Sequence, residues 1–205
     1  MHTKYWILGG IAVLAVAAGW LFLRSSAEIT NYPSGGVDII AFGDSLVVGV
    51  GSTGDNDFVS LLSQKIGRPI INLGHSGDTT AVGLARVGDL DTYNPKIVIV
   101  FLGGNDYLRR VPETQTFENL SKIIEAIHGR GAIVLLLGVR GGLLRDNFEA
   151  EFGALAKKYH TAHVSNVLAG LFGNDKYMSD EIHPNDLGYE RIAERVYPVL
   201  ESLLK

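Results

Sequence analysis

Two stretches constrain the fold of this chain more than any others. "KIVIVFL" (Lys96–Leu102) and "AIVLLLGV" (Ala132–Val139) are almost continuous runs of apolar, largely β-branched or leucine residues. A strand with one face in water alternates apolar and polar side chains. A strand covered on both faces does not, and these runs carry that second signature, which belongs to parallel sheets. Shorter strand candidates are "VDIIAF" from Val37, "PIINL" from Pro69 and a brief "HVSNV" near the end. Segments with helical spacing lie between them: "DFVSLLSQKI", "TTAVGLARVGDL", "TQTFENLSKIIEAIHGRG", ended by a glycine signal at Gly129 or Gly131, and "RDNFEAEFGALAKKYH". "DLGYERIAERVYPVLESLL" closes the chain as a helix that Pro198 is expected to kink or divide. Strand alternating with helix predicts a three-layer α/β/α domain built on a parallel sheet.

That domain is placed at residues 37–205, and a chain of 205 residues, 46% of them hydrophobic, leaves little room for a second one. The N-terminus is a separate unit, residues 1–24. "YWILGGIAVLAVAAGWLFL", from Tyr5 to Leu23, holds no charge, with Lys4 before it and Arg24 after it. Nineteen residues at about 1.5 Å each reach roughly 28 Å, close to the hydrocarbon thickness of a bilayer. Trp6 and Trp20 lie near its ends, where indoles favour the interface. The expectation is a single-pass anchor with the rest of the chain outside the cytoplasm. A signal peptide cleaved near "SSA" (Ser25–Ala27) is the alternative, opposed by the length of the run and by Arg24. Residues 25–36, "SSAEITNYPSGG", read as a short polar linker.

Composition narrows the chemistry. The formal net charge is -4 and no basic run occurs, so nucleic acid is not an expected partner. The absence of cysteine excludes disulfides, thiolate catalysis and thiolate-held metals. The six histidines form no ligand pair on a predicted helix, and no metal site is expected. The expected state is a monomer.

In an open parallel sheet, ligands bind at the carboxyl ends of the strands. Four polar clusters fall at such ends or in comparable loops: Asp44–Ser45, "GHSGDTT" (Gly74–Thr80), "GGND" (Gly103–Asp106) and "SDEIHPND" (Ser179–Asp186). Ser45 is a nucleophile only if a base takes its proton, and imidazole suits that task. Asp180 and His183, three residues apart, can bond locally so that the acid fixes the imidazole tautomer, and Pro184 biases His183 away from helical backbone. Acyl transfer also needs donors for a developing oxyanion. The side chain of Asn105 and the backbone N–H groups of Gly77 and Ser45 are the candidates. Asp44 and Asp106 read as structural acids that hold loops by accepting backbone bonds. His75 has a weaker claim to line the pocket, His128, His160 and His163 are expected in solvent, and so are Arg109 and Arg110.

The ordered set GDSL, a second-loop glycine, GGND and DxxHP resembles the SGNH hydrolases, also called the GDSL esterase/lipase family, over roughly residues 37–204. "NLGHSGDTTAVGLARV", "LGGNDYLRR" and "DEIHPNDLG" look most like the bacterial thioesterase I/lysophospholipase L1/arylesterase group. The resemblance implies a flavodoxin-like α/β/α fold, no metal or cofactor, and hydrolysis of esters or thioesters through an acyl-serine. It carries the nucleophile to Ser45, the acid and base to Asp180 and His183, and the oxyanion donors to Gly77 and Asn105. Relatives of this kind are generally periplasmic with a cleaved signal, whereas the apolar run here favours tethering. A carbohydrate O-acetylesterase acting on cell-envelope glycans is the alternative on the same site. Two departures stand out. Tyr107 occupies a position where the thioesterase group usually has a small residue, which bears on acyl-pocket width, and Gly141 and Gly142 lead to the expectation of a loop after the fourth strand more mobile than that of its relatives.

Overall fold

The computed structural model describes residues 28–140 and 148–205. The anchor or signal segment, the first residues of the linker and the loop holding Gly141 and Gly142 lie outside the described residues. Among the described residues no helix is long and apolar enough to cross a membrane.

Five parallel strands form one sheet in the order β2-β1-β3-β4-β5: β1 (Asp38–Gly43), β2 (Ile70–Gly74), β3 (Pro95–Phe101), β4 (Ile133–Leu137) and β5 (Ala162–Val164). The helices are α1 (Ser45–Val48), α2 (Phe58–Ile66), α3 (Thr80–Ala85), α4 (Gly104–Leu108), α5 (Glu113–His128), α6 (Phe148–Tyr159) and α7 (Asp186–Leu203), with a 3₁₀ turn at Val87–Thr92. α2 packs with α7, while α5 packs with both α3 and α6. The right-handed rule for parallel crossovers puts these two groups on opposite faces of the sheet, giving three layers. The chain reverses its direction of travel across the sheet between β1 and β3, which makes the crevice beyond their carboxyl ends the natural ligand site.

The two apolar runs are β3 and β4, and every residue of β4 is buried. The edge strands are less covered, and β5 is only three residues long, which limits its unpaired edge. Phe42, Phe58, Phe101, Phe152 and Tyr189 are the largest fully buried side chains. Burial contributes about 1.5–3 kcal/mol for each such apolar group. Phe58 meets Phe101 edge-on at 5.8 Å and stacks on Tyr189 at 6.5 Å, tying α2 to β3 and to α7. Asp57 caps α2 by accepting from the N–H groups of Val59 and Ser60, and Asn185 caps α7 by accepting from Gly188 N–H.

Three local expectations change. "TTAVGLARVGDL" is not one helix: α3 ends at Ala85, where Arg86 turns its side chain inward, and a 3₁₀ turn follows. α7 is neither divided nor interrupted at Pro198, which is exposed. Residues 28–36 are packed on the domain. Thr30 N–H donates to His160 O at 2.9 Å, and its hydroxyl donates to Tyr159 O. The Asn31 amide donates to His128 O and Ala132 O, both at 3.0 Å, and the buried Ser34 hydroxyl donates to Gly131 O at 2.8 Å. All of these acceptors lie at the edge of the sheet where strands begin.

Candidate active site

β1 ends at Gly43, and the next two residues enter a single helical turn. Asp44 caps that turn, its Oδ1 accepting from Leu46 N–H at 3.0 Å. Ser45 is therefore at the first helical position, held at the carboxyl edge of the sheet. The residues from Lys176 to Asn185 fold back on themselves. Met178 and Pro184 form an antiparallel bridge, Ser179 N–H donates to His183 O at 2.8 Å, and the Asn185 side chain donates to Lys176 O. This turn presents His183 toward Ser45 across 138 positions of sequence, with Nε2 and Oγ 3.1 Å apart.

Asp180 supports the imidazole from behind. Its Oδ2 lies 2.8 Å from His183 Nδ1, and its Oδ1 accepts from the N–H groups of Ile182 and His183 at 2.8 and 2.7 Å. These bonds, that from His183 first, hold the Asp180 carboxyl down to about 2. An ionised Asp180 keeps the proton on Nδ1, which leaves Nε2 to accept from the serine hydroxyl.

The loop carrying Ser45 and the turn carrying His183 are fastened together. Asp186 accepts from Thr53 N–H and Thr53 Oγ1, both at 2.7 Å, and from the Asn56 amide at 3.1 Å. The Tyr189 hydroxyl donates to Val50 O at 2.8 Å. Gly51, at φ +97°, lies so close to the turn that a Cβ there would overlap Ser179 Oγ and the Pro184 carbonyl oxygen.

Gly77 and Asn105 come from the ends of β2 and β3. Gly77 has φ +83°, which favours glycine, and Arg109 Nη2 donates to its carbonyl at 2.8 Å. Among the described residues neither Gly77 N–H nor Ser45 N–H donates to a protein acceptor. Asn105, in the first turn of α4, directs its amide to Asp44 Oδ2 at 3.1 Å and to Asp78 O at 3.0 Å. Burial pushes the Asp44 carboxyl up to about 6, against the opposing pull of the Leu46 and Asn105 bonds.

The two acids expected to be structural hold backbone as expected. Asp44 caps α1, and Asp106, fully buried, accepts from Thr80 N–H at 2.8 Å and from the Thr80 hydroxyl. Arg86 had no part in the sequence reading. Its Nε lies 2.6 Å from Asp78, its Nη2 donates to Gly43 O at 2.9 Å, and its guanidinium stacks 4.1 Å from the Phe42 ring centre. It thereby ties the glycine loop to the end of β1. Its only signal in sequence is a charge inside the apolar face of "TTAVGLARVGDL". Arg109 is exposed, as expected, yet it braces Gly77.

The histidines sort differently from expectation. His75 is exposed and His160 is in solvent, but His128 and His163 are not. Each of the latter two has a buried Nε2 with no hydrogen-bond partner among the described residues, and burial pushes both imidazoles down. His128 closes α5, where the Asn31 amide donates to its carbonyl, and His163 lies in β5 with its Nε2 close to Gly138. Tyr107 is 42% exposed, with its ring edge-on to Phe148 at 5.9 Å.

Known proteins resemble this chain in sequence and fold. Residues 41–191 match the GDSL-like Lipase/Acylhydrolase family. The chain is 34% identical over 178 residues to the esterase TesA of Pseudomonas aeruginosa, covering 81% of this chain and 89% of that one. It is 30% identical over 175 residues to thioesterase 1/protease 1/lysophospholipase L1 of Escherichia coli K12, covering 81% and 84%. The crystal structure of TesA superimposes with a TM-score of 0.75 at 33% identity, covering 82% of this chain and 99% of that chain. On the strength of its fold, its four motif loops and these likenesses, the chain belongs to the GDSL-like lipase/acylhydrolase family.

Proposed function

We propose that this enzyme is a serine esterase for carboxylic esters or thioesters, with Ser45 as nucleophile, His183 as general base and acid, and Asp180 as the orienting acid. The observation that carries the reading is the continuous Asp180–His183–Ser45 relay, 2.8 Å and 3.1 Å long, at the carboxyl edge of the sheet. His183 Nε2 takes the hydroxyl proton as Oγ attacks the acyl carbon. The oxyanion is received by the Ser45 and Gly77 N–H groups and the Asn105 amide. Such a donor is worth about 3–4 kcal/mol of barrier. His183 then returns the proton to the leaving alcohol or thiol, and an acyl-serine remains. Water, deprotonated by the same nitrogen, attacks the acyl carbon; the bond to Oγ breaks, His183 returns the proton to Ser45 Oγ, and the acid is released.

The catalytic domain is read as residues 37–205, tethered through an uncleaved apolar segment within residues 1–24 and lying outside the cytoplasm. The uncharged run Tyr5–Leu23, with Trp6 and Trp20 near its ends, supports the tether. Ser45→Ala is expected to reduce hydrolysis of a short p-nitrophenyl ester by at least about 10³-fold with the urea midpoint unchanged. Retained turnover near wild type would remove Ser45 from the mechanism.

A further inference from the structure

The oxyanion donors proposed above come from three separate elements, and Gly77 is the hardest of them to place. Asp78 N–H donates to His75 O at 3.2 Å, Gly77 has φ +83°, and Ser76 does not have a positive φ. His75–Asp78 is therefore a type II turn with Gly77 in its third position. That position needs glycine, and glycine is also the residue whose backbone is least restricted by its own sterics. The direction of Gly77 N–H thus depends on what grips the turn from outside. Two grips come from one short helix. Asn105, in α4, donates to Asp78 O at 3.0 Å, and Arg109, at the C-terminal end of α4, donates to Gly77 O at 2.8 Å. Arg109 N–H in turn donates to Asn105 O at 3.0 Å, so the two residues stand one helical turn apart. A Cβ on Gly77 would lie 3.4 Å from Arg109 Nη2, which places the guanidinium against this glycine.

We infer that Arg109 is a positioning residue of the oxyanion hole, which holds the Gly77 N–H on the same frame as the Asn105 amide and acts through Gly77 rather than through contact with the substrate. This rests on the serine-esterase reading above. The peptide joining Gly77 to Asp78 is pinned at both ends, its N–H on His75 O and its carbonyl on Arg109. Release of the carbonyl leaves that plane held at one end only, and the neighbouring Gly77 N–H tilts with it. Other contacts keep the loop itself in place. Arg86 holds the Asp78 carboxylate at 2.6 Å and Gly43 O at 2.9 Å, and Thr79 caps α3. Arg109 is exposed, and the bond to Gly77 is the only hydrogen bond its side chain makes among the described residues. Loss of that bond is expected to loosen one donor and leave the fold intact. Removing an oxyanion donor outright costs about 10²–10³-fold in kcat, and a donor still present but loosely aimed forfeits part of that, about tenfold.

The test uses the full chain with a short p-nitrophenyl ester as substrate and an alkyl trifluoromethyl ketone as inhibitor. Ser45 Oγ adds to the ketone carbon as His183 takes the hydroxyl proton, and the carbonyl oxygen becomes an oxyanion in the hole. The affinity of this inhibitor therefore reports the donors directly. Arg109→Met keeps the length of the side chain and removes its N–H groups. It is expected to lower kcat and ketone affinity by about tenfold each, with KM within about twofold of wild type and the thermal midpoint unchanged. Arg109→Lys, which can still donate to Gly77 O, is expected to recover part of both losses. Arg110→Met removes a neighbouring exposed charge and is expected to leave kcat unchanged. An Arg109→Met enzyme with kcat within about twofold of wild type, a loss confined to KM, or an undiminished ketone affinity would overturn the inference alone. So would an equal loss in Arg110→Met, which would trace the effect to charge, or a kcat loss matched by a loss of folded protein. Retained turnover in Ser45→Ala would instead sink the esterase reading, and the inference with it.

Discussion

Replacing Gly51 by alanine tests whether the loop after α1 sets the position of His183. Two costs are built into the position. An L-residue with positive φ is destabilised by about 1–2 kcal/mol, and Gly51 stands at φ +97°. The new Cβ would also overlap Ser179 Oγ and the Pro184 carbonyl oxygen, and would lie 3.2 Å from His183 Cβ. The hydroxyl can rotate away, but the carbonyl is backbone in the residue after the imidazole. Restoring ordinary contact moves the turn by about 1 Å. The 3.1 Å bond from His183 to Ser45 then lengthens to about 4 Å and ceases to be a hydrogen bond. A displacement of that size is expected to lower kcat about 10²-fold. Gly54→Ala is the control. It lies three residues away in the same loop at φ +54°, and a Cβ there meets nothing within 4 Å. Both variants are expected to lose about 1–2 kcal/mol in urea unfolding from backbone strain, with a further loss of about 1–3 kcal/mol in Gly51→Ala from crowding. Only Gly51→Ala is expected to lose kcat on a short p-nitrophenyl ester. A folded Gly51→Ala enzyme with kcat within about twofold of wild type, or equal activity losses in both variants, would refute the reasoning.

Three other substitutions have outcomes fixed by the structure. Asp44 binds its proton more tightly folded, at about 6, than unfolded, at 3.8, so its contribution falls as pH rises through that window and is constant above it. Asp44→Asn cannot titrate there, and its stability relative to wild type is expected to rise by up to about 3 kcal/mol between pH 4 and pH 7 in urea unfolding; a flat difference would contradict the burial argument. Arg86→Leu leaves Asp78 buried without its partner and is expected to cost about 3–5 kcal/mol, part of which the double variant Asp78→Leu/Arg86→Leu recovers; a single-variant cost below about 1 kcal/mol would show that the pair is not sustaining the glycine loop. Pro198→Ala restores a helix N–H inside the unbroken α7 and is expected to stabilise by about 1–3 kcal/mol, read as a raised thermal midpoint; a lowered midpoint would mean that the ring packs usefully.

The sheet was legible because covered strands have a composition of their own. Ile97–Phe101 and Ile133–Leu137 need only local chemistry to declare themselves, and their order in the chain then limits the topology. The candidate site was legible because Ser45, Gly77 and Asn105 follow strand ends and Asp180 and His183 share one short turn before α7, each offering a scarce chemical role. What holds them was not. Thr53 and Asp186 are 133 positions apart, and each alone is an ordinary loop or cap residue. Arg86 reads as a solvated charge until the fold turns it onto Phe42. Residues 28–36 have a linker's polarity because their partners are carbonyl groups of remote turns, and carbonyls leave no trace in side-chain pattern. His163 misled for a related reason: its Nε2 lies close to Gly138, a residue without a side chain to announce the contact.

The proposed nucleophile, Ser45, lies in the first quarter of the chain and its proposed base, His183, near the end, just ahead of α7. Phe58 and Tyr189 are buried against one another, and the Tyr189 hydroxyl closes on Val50. During synthesis or export, a partly emerged chain therefore carries a serine with no base beside it. Such a chain is chemically silent toward the esters it passes. With Ser45 and His183 in the roles proposed above, the last segment to be added completes the site, and hydrolysis becomes a readout of a finished fold.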